Sequence, residues 1–341
     1  MKIRLQFPGK FSDSPYYKGL IENPPNSIKY NTDTKIGLNT TKKKFNAFIK
    51  LKRLLRRIYN QWMVCYPNVQ ISYKAYHEDL IHCAHCLSGN NVNWVADFED
   101  VWQMFIGERT PEAYRKVRDI LNDINCKKII AWTDACRNNI IELFPDIVEK
   151  VVTIYPAVKV PTQKKVKSDK IRLLFVARYF EHKGGNEIIK IFDKITKKYE
   201  NVEATIVSDI PKDVFEEYNY NPRLRLIDLV DQEYLYNHIY PEADLLVYPG
   251  TSDSFGFAML EAMSFGIPVI TKPGFARDEI IWDGCNGIIT EDIEKSIIDN
   301  LDKDKINKMS ESARKSVEVG RFSIKQRNRK LREVYLDARK N

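Results

Sequence analysis

The residues best able to do chemistry fall in two short segments of the second half of the chain. Residues 248–274, YPGTSDSFGFAMLEAMSFGIPVITKPG, set Asp253 and Glu261 eight positions apart. Eight positions are about two helical turns, so both carboxylates can line one side of a helix and accept hydrogen bonds from sugar hydroxyls. A strand ending at Pro249, a small polar loop and a helix opening near Ser254 to Gly256 would point the backbone amides of Ser254, Phe255, Gly256 and Phe257 outward. There the helix dipole favours an anion. Residues 176–185, VARYFEHKGG, bring Arg178 and Lys183 into one strand-to-helix loop. Two fixed cations beside such a helix start can grip a pyrophosphate without a metal ion. The plainer alternatives are that Asp253 is an N-cap, Glu261 a solvated residue, and the 178–183 loop a solvated turn. Against the second of these, Glu261 stands among Ala258, Met259, Leu260, Ala262 and Met263, where an unpaired carboxylate is costly to bury.

Positioning these groups requires strand, helix, strand units, and short apolar runs do alternate with helical-period segments along the chain. The first half predicts strands over 2–7, 69–73, 79–83, 93–98, 128–132 and 151–155, with helices over 45–63, 111–124 and 134–144. Residues 156–170, PAVKVPTQKKVKSDK, hold two prolines and five lysines with no apolar stripe, and read as a linker. Beyond it come strands over 171–177, 202–208, 224–229, 244–248 and 267–271, with helices over 184–198 and 254–265. The last forty residues are helical and charged, broken at Gly320. The fold class is α/β. The expected domains are 1–157, a linker at 158–170, 171–320, and a C-terminal helix over 321–341 that can pack back on the first domain.

Composition narrows the function. The chain has 341 residues, 43 % hydrophobic, with 54 basic and 46 acidic residues for a net charge of +8. That supports two packed domains and excludes wholesale disorder. No run approaches the roughly 18 apolar residues that span a bilayer, and the start lacks the apolar segment of a signal peptide, so a cytoplasmic protein is expected. Six cysteines in so long a chain suggest reduced thiols. The modest charge and the lack of a recognised motif argue against nucleic acid.

The ordered set Arg178, Lys183–Gly184, Asp253, Phe255–Gly256, Glu261, Ala262–Met263, Gly266, Pro268 and Asn286–Gly287 resembles the retaining nucleotide-sugar glycosyltransferases of family 4. The resemblance covers 171–290 and implies a GT-B architecture, two Rossmann-like domains facing across a cleft. It implies that Glu261 holds the nucleotide ribose and that Asp253, with the amides of Phe255 to Phe257, positions the donor sugar. Arg178 and Lys183 would stabilise the departing diphosphate, and backbone near Leu229 and Val230 would read the base. The co-substrate is then a nucleotide-diphospho-sugar, with no other cofactor and no metal, and the first domain takes a glycan or lipid-linked acceptor.

Three departures stand out. The first motif acid is Asp253 rather than Glu, one methylene shorter. The family's glycine-rich loop after the first strand is reduced to Pro8–Gly9–Lys10, leaving Gly9 as its donor contact. Where many members carry a histidine, WVADFEDVW offers Asp97, Glu99 and Asp100, of which Glu99 takes the catalytic place. An epimerase on the same architecture and a non-catalytic sugar or lipid binder are the rival functions.

Two further motifs compete for attention. HCAHC, 82–86, has the Cys83–Cys86 spacing of zinc ligands but no second pair, and reads as core or as cleft-lining histidines. Residues 41–62 form a broad apolar stripe with Lys43, Lys50, Arg53, Arg56 and Arg57 around it. This is either a helix packed on its own domain or a contact with an anionic membrane surface on the cytoplasmic side.

Overall fold

The computed structural model describes residues 1–6, 14–32, 66–72, 74, 77–107, 109–163, 165–250 and 254–340. The expected helix over 45–63, with the membrane-contact residues 41–62, therefore lies outside the described residues, as do Gly9 and Asp253. The chain divides into two compact units, Met1–Ala157 with Ile324–Asn341, and Val158–Ser323.

The first unit is built on a six-stranded parallel sheet of β1 (Lys2–Gln6), β2 (Lys29–Asn31), β3 (Leu80–Ala84), β4 (Trp94–Phe98), β5 (Cys126–Ala131) and β6 (Val151–Thr153), in the spatial order β6-β5-β4-β3-β1-β2. Every residue of β3 and β4 is buried, as expected of interior parallel strands covered on both faces. α1 (Pro15–Glu22), α2 (Pro111–Asn122) and α3 (Asp134–Leu143) flank the sheet, and Thr110 and Thr133 cap the latter two through their side chains. α1 and β2 had no clear sequence signal. Among the described residues of the strand expected over 69–73, only Val69–Gln70 is strand, paired with Leu87–Ser88 outside the main sheet. The reason is local: the Asn90 side chain takes the Ser72 amide and carbonyl, at 3.0 and 2.9 Å, so the chain there has no ladder to join.

A buried polar chain crosses this unit. In β4, Asp97 accepts from the Tyr16 hydroxyl and lies 2.9 Å from His82 Nε2 in β3; His82 Nδ1 meets the Tyr335 hydroxyl at 2.7 Å, which in turn meets Tyr30 at 2.7 Å. Tyr335 belongs to the C-terminal helix, Ile324–Lys340, of the same unit. Cys83 and Cys86 form a disulfide, which corrects the expectation of reduced thiols and withdraws both from any metal-ligand role. The turn that ends β3 brings their Cα atoms to 5.3 Å, within bonding reach. No helix among the described residues is long and apolar enough to cross a membrane.

The second unit repeats the plan with β7 (Ile171–Val176), β8 (Val202–Val207), β9 (Leu224–Ile227), β10 (Leu245–Tyr248), β11 (Val269–Thr271) and β12 (Gly287–Ile289), all parallel, in the order β9-β8-β7-β10-β11-β12. α4 (Gly185–Lys198) buries Ile188, Ile189, Phe192 and Ile195 on one stripe, and α5 (Phe257–Ser264) is buried from Met259 onward.

Removing the Tyr335 hydroxyl would leave His82 Nδ1 without a partner in a dry core. Tyr335→Phe is expected to cost about 1–3 kcal/mol in urea unfolding without changing the native fold.

Candidate functional site

In the second unit the chain first runs from β7 out to β9, then returns to lay β10 on the other side of β7. Strand order reverses between β7 and β10, and in open parallel sheets ligands bind outside the carboxyl ends at such a reversal. The two segments singled out by chemistry both start there: Arg178 and Lys183 follow β7, and residues 249–256 follow β10. A Cβ placed on Gly184 would lie 2.7 Å from Pro249 Cγ, so the two loops are in contact. Gly184 also has φ +83°, which only glycine adopts cheaply. Around it, the Phe180 amide donates to Asp209 at 2.7 Å and the Lys183 amide to the Tyr179 carbonyl at 3.1 Å. Arg178 is exposed and Lys183 half-buried.

The helix after β10 opens later than its sequence suggested. Gly256, at φ +87°, is its N-cap, and α5 starts at Phe257. A left-handed residue cannot continue a right-handed helix, so the amides of Ser254 and Phe255 belong to the preceding loop, and Phe257 and Ala258 lead the helix instead. Leu229 and Val230 are half-buried just beyond β9, where the Asp228 carboxylate accepts from the Leu229 amide at 2.7 Å.

Glu261 is only 5 % exposed and its charge is met from inside the unit. Gln232 Nε2 donates to one oxygen at 2.7 Å and the Tyr240 hydroxyl to the other at 2.9 Å. Burial, then the Glu261 charge, hold the Tyr240 phenol far above its ordinary range, so it remains a donor. Gln232 and Tyr240 were not identified in the sequence; Gln232 follows Asp231, whose side chain caps the next turn through the Tyr234 amide at 2.8 Å. Also unforeseen were Lys272, whose Nζ lies 2.9 Å from both Glu187 oxygens, and Arg277, 4 % exposed, which donates to the carbonyls of Gly250, Lys272 and Pro273. They bind the loop after β11 to α4 and to the loop after β10. A cavity of about 830 Å³ in this unit lies elsewhere, between residues 160–165 and the Lys303–Glu318 helix, and includes none of these groups.

The three carboxylates of WVADFEDVW in the first unit have separate tasks. Asp97 belongs to the buried chain, Asp100 caps a short helix through the Trp102 amide at 3.2 Å, and Glu99 accepts from Gln103 Nε2 at 2.9 Å. Glu99 thus follows the carboxyl end of β4, while His85 stands at the end of β3, next to the strand-order reversal of this sheet between β3 and β1. His85 Nδ1 is 2.6 Å from the Tyr17 hydroxyl, and burial pushes the imidazole down to about 4. Among the described residues no cluster of three or more His, Cys, Asp or Glu could hold a metal ion.

Two units, each built on an open parallel six-stranded sheet with a reversal of strand order, are the components of a GT-B architecture. Residues 159–319, nearly the whole of the second unit, match the family model described as Glycosyl transferases group 1. Over 162 residues the chain is 24 % identical to the phosphatidylinositol N-acetylglucosaminyltransferase GPI3 subunit of Saccharomyces cerevisiae, covering 43 % of this chain and 36 % of that protein's length. A glycosyltransferase from Rickettsia africae superposes with a TM-score of 0.69 at 16 % identity, over 100 % of this chain and 98 % of its own. Anabaena Alr3699/HepE in complex with UDP superposes with a TM-score of 0.66 at 16 % identity, over 98 % of this chain and 99 % of its own. At these identities the two structures speak for the fold.

Two measurements probe this geometry. Gly184→Ala combines a left-handed backbone with a clash on Pro249, and is expected to lower unfolding free energy by about 1–3 kcal/mol. For His85, the unfolded chain takes up a proton near the ordinary 6.5 but the folded chain only near 4, so stability should fall as pH drops through that window. Compared with His85→Asn, the native protein should lose up to about 1.4 kcal/mol per pH unit there. Parallel stability curves would contradict the assignment.

Proposed function

We propose that the chain is a retaining, metal-independent glycosyltransferase that moves a sugar from a nucleotide-diphospho-sugar to a glycan or lipid-linked acceptor. The observation that carries this reading is the contact of the Gly184 and Pro249 loops at the reversal of strand order, within a domain matching the group 1 family model.

In this reading the diphosphate sits over the amides of Phe257 and Ala258, with Arg178 and Lys183 reaching it from the loop after β7. Glu261, oriented by Gln232 and Tyr240, accepts hydrogen bonds from the ribose hydroxyls. Asp253 positions the donor sugar, Leu229 and Val230 offer backbone to the base, Gly9 is a further donor contact, and Glu99 takes the catalytic place. As the bond from the anomeric carbon to the diphosphate oxygen breaks, the sugar becomes oxocarbenium-like and the charge on the leaving group grows against the two cations. The acceptor oxygen bonds to the anomeric carbon from the leaving-group face, and its proton passes to a diphosphate oxygen. Fixed cations supply here what a divalent metal supplies elsewhere, and each preorganised charge of this kind is worth about 3 kcal/mol of barrier. The UDP named for the Anabaena structure and the phosphatidylinositol acceptor in the yeast relative's name agree with a nucleotide donor and a lipid-linked acceptor. A membrane-associated acceptor would suit residues 41–62 as a peripheral contact on the cytoplasmic face.

Incubation with labelled nucleotide-sugars tests the reading. The native protein should transfer or slowly hydrolyse one of them, and Lys183→Ala should reduce that rate at least tenfold. Conversion of the donor to an isomeric sugar would mark an epimerase instead.

A further inference from the structure

The loop after β11 carries a residue that local physics disfavours. Phe275 has φ +52°, a region that side chains other than glycine rarely occupy, and its ring is 55 % exposed, so burial returns little of the cost. Glycine would take the same backbone without strain and leave no apolar ring in water. The loop is nevertheless firmly fastened. Arg277 donates through Nε to the Lys272 carbonyl at 2.7 Å, through Nη2 to the Pro273 carbonyl at 2.8 Å, and through Nη1 to the Gly250 carbonyl; the Gly274 amide donates to Asp278 at 2.9 Å. The same guanidinium lies over the Phe275 ring, 5.8 Å from its centroid. One buried arginine thus ties the exposed ring to the first residues after β10, at the carboxyl edge of the sheet where the loops bearing Arg178 and Lys183 also gather.

We propose that Phe275 is a stacking platform for the pyranose ring of the donor sugar. This rests on the donor site proposed above and adds an apolar contact to the sugar beside the polar one assigned to Asp253. A pyranose presents an apolar face of C–H groups, and the face of a phenyl ring attracts such a surface by dispersion and through its quadrupole while leaving the hydroxyls to polar partners. Arg277 covers one side of the ring and holds it in place.

The test compares affinities by calorimetry for a nucleotide diphosphate and its hexose derivative, the pair being whichever of UDP, GDP or ADP and its hexose gives the largest thermal shift with the native protein. Phe275→Gly should leave the melting temperature unchanged or raise it, hold diphosphate affinity within about twofold, and weaken nucleotide-hexose binding by about three- to tenfold. Phe275→Tyr should restore the difference and Phe275→Leu only part of it. Equal losses for both ligands in Phe275→Gly, or no loss for either, would overturn the platform. A native protein that binds neither ligand would instead remove the donor site itself, and the platform with it.

Discussion

The contact between Gly184 and Pro249 is the constraint on which the candidate site depends. It permits the loop after β7 and the loop after β10 to touch, and any side chain at 184 would force them apart. The parallel sheet brings the ends of these two strands side by side, since β7 pairs directly with β10, but pairing alone sets only the strand spacing. The last step, bringing the two loops into contact, needs a residue with no Cβ and a left-handed backbone. Gly256 performs the matching task on the other loop by deciding where α5 begins, and therefore which amides lead it.

Burial sets the roles of the acidic groups. Glu261 is as deeply placed as a core residue, and a lone carboxylate there would be strongly penalised; Gln232 and Tyr240 offset that penalty and at the same time fix its orientation. Asp97 is likewise enclosed, held by Tyr16 and His82, and contributes to the cohesion of its own unit. Glu99, two residues further along, remains half-buried and accepts from Gln103. Three carboxylates that look alike in a string of letters thus differ in what their surroundings let them do.

The family match covers 159–319. This is also the stretch in which strands, glycines and helices follow one another most regularly along the sequence. The first unit is less regular. Its signals are spread over buried strands and a polar chain assembled from residues 16, 82, 97 and 335, which sequence distance conceals.

What the sequence determined by itself was the alternation of strand and helix, the parallel sheets, and the set of Arg178, Lys183, Glu261 and the loop after residue 248, because these are local in the chain and obey local periodicities. Only tertiary structure decided that Gln232 and Tyr240 hold Glu261, that Arg277 fastens the loop after β11 to Gly250, that Cys83 bonds to Cys86, and that α5 starts at Phe257. The physical reason is the same in most of these cases: a hydrogen-bond partner supplied from a distant element, or a sign of φ chosen by packing, leaves no period in the sequence to be read.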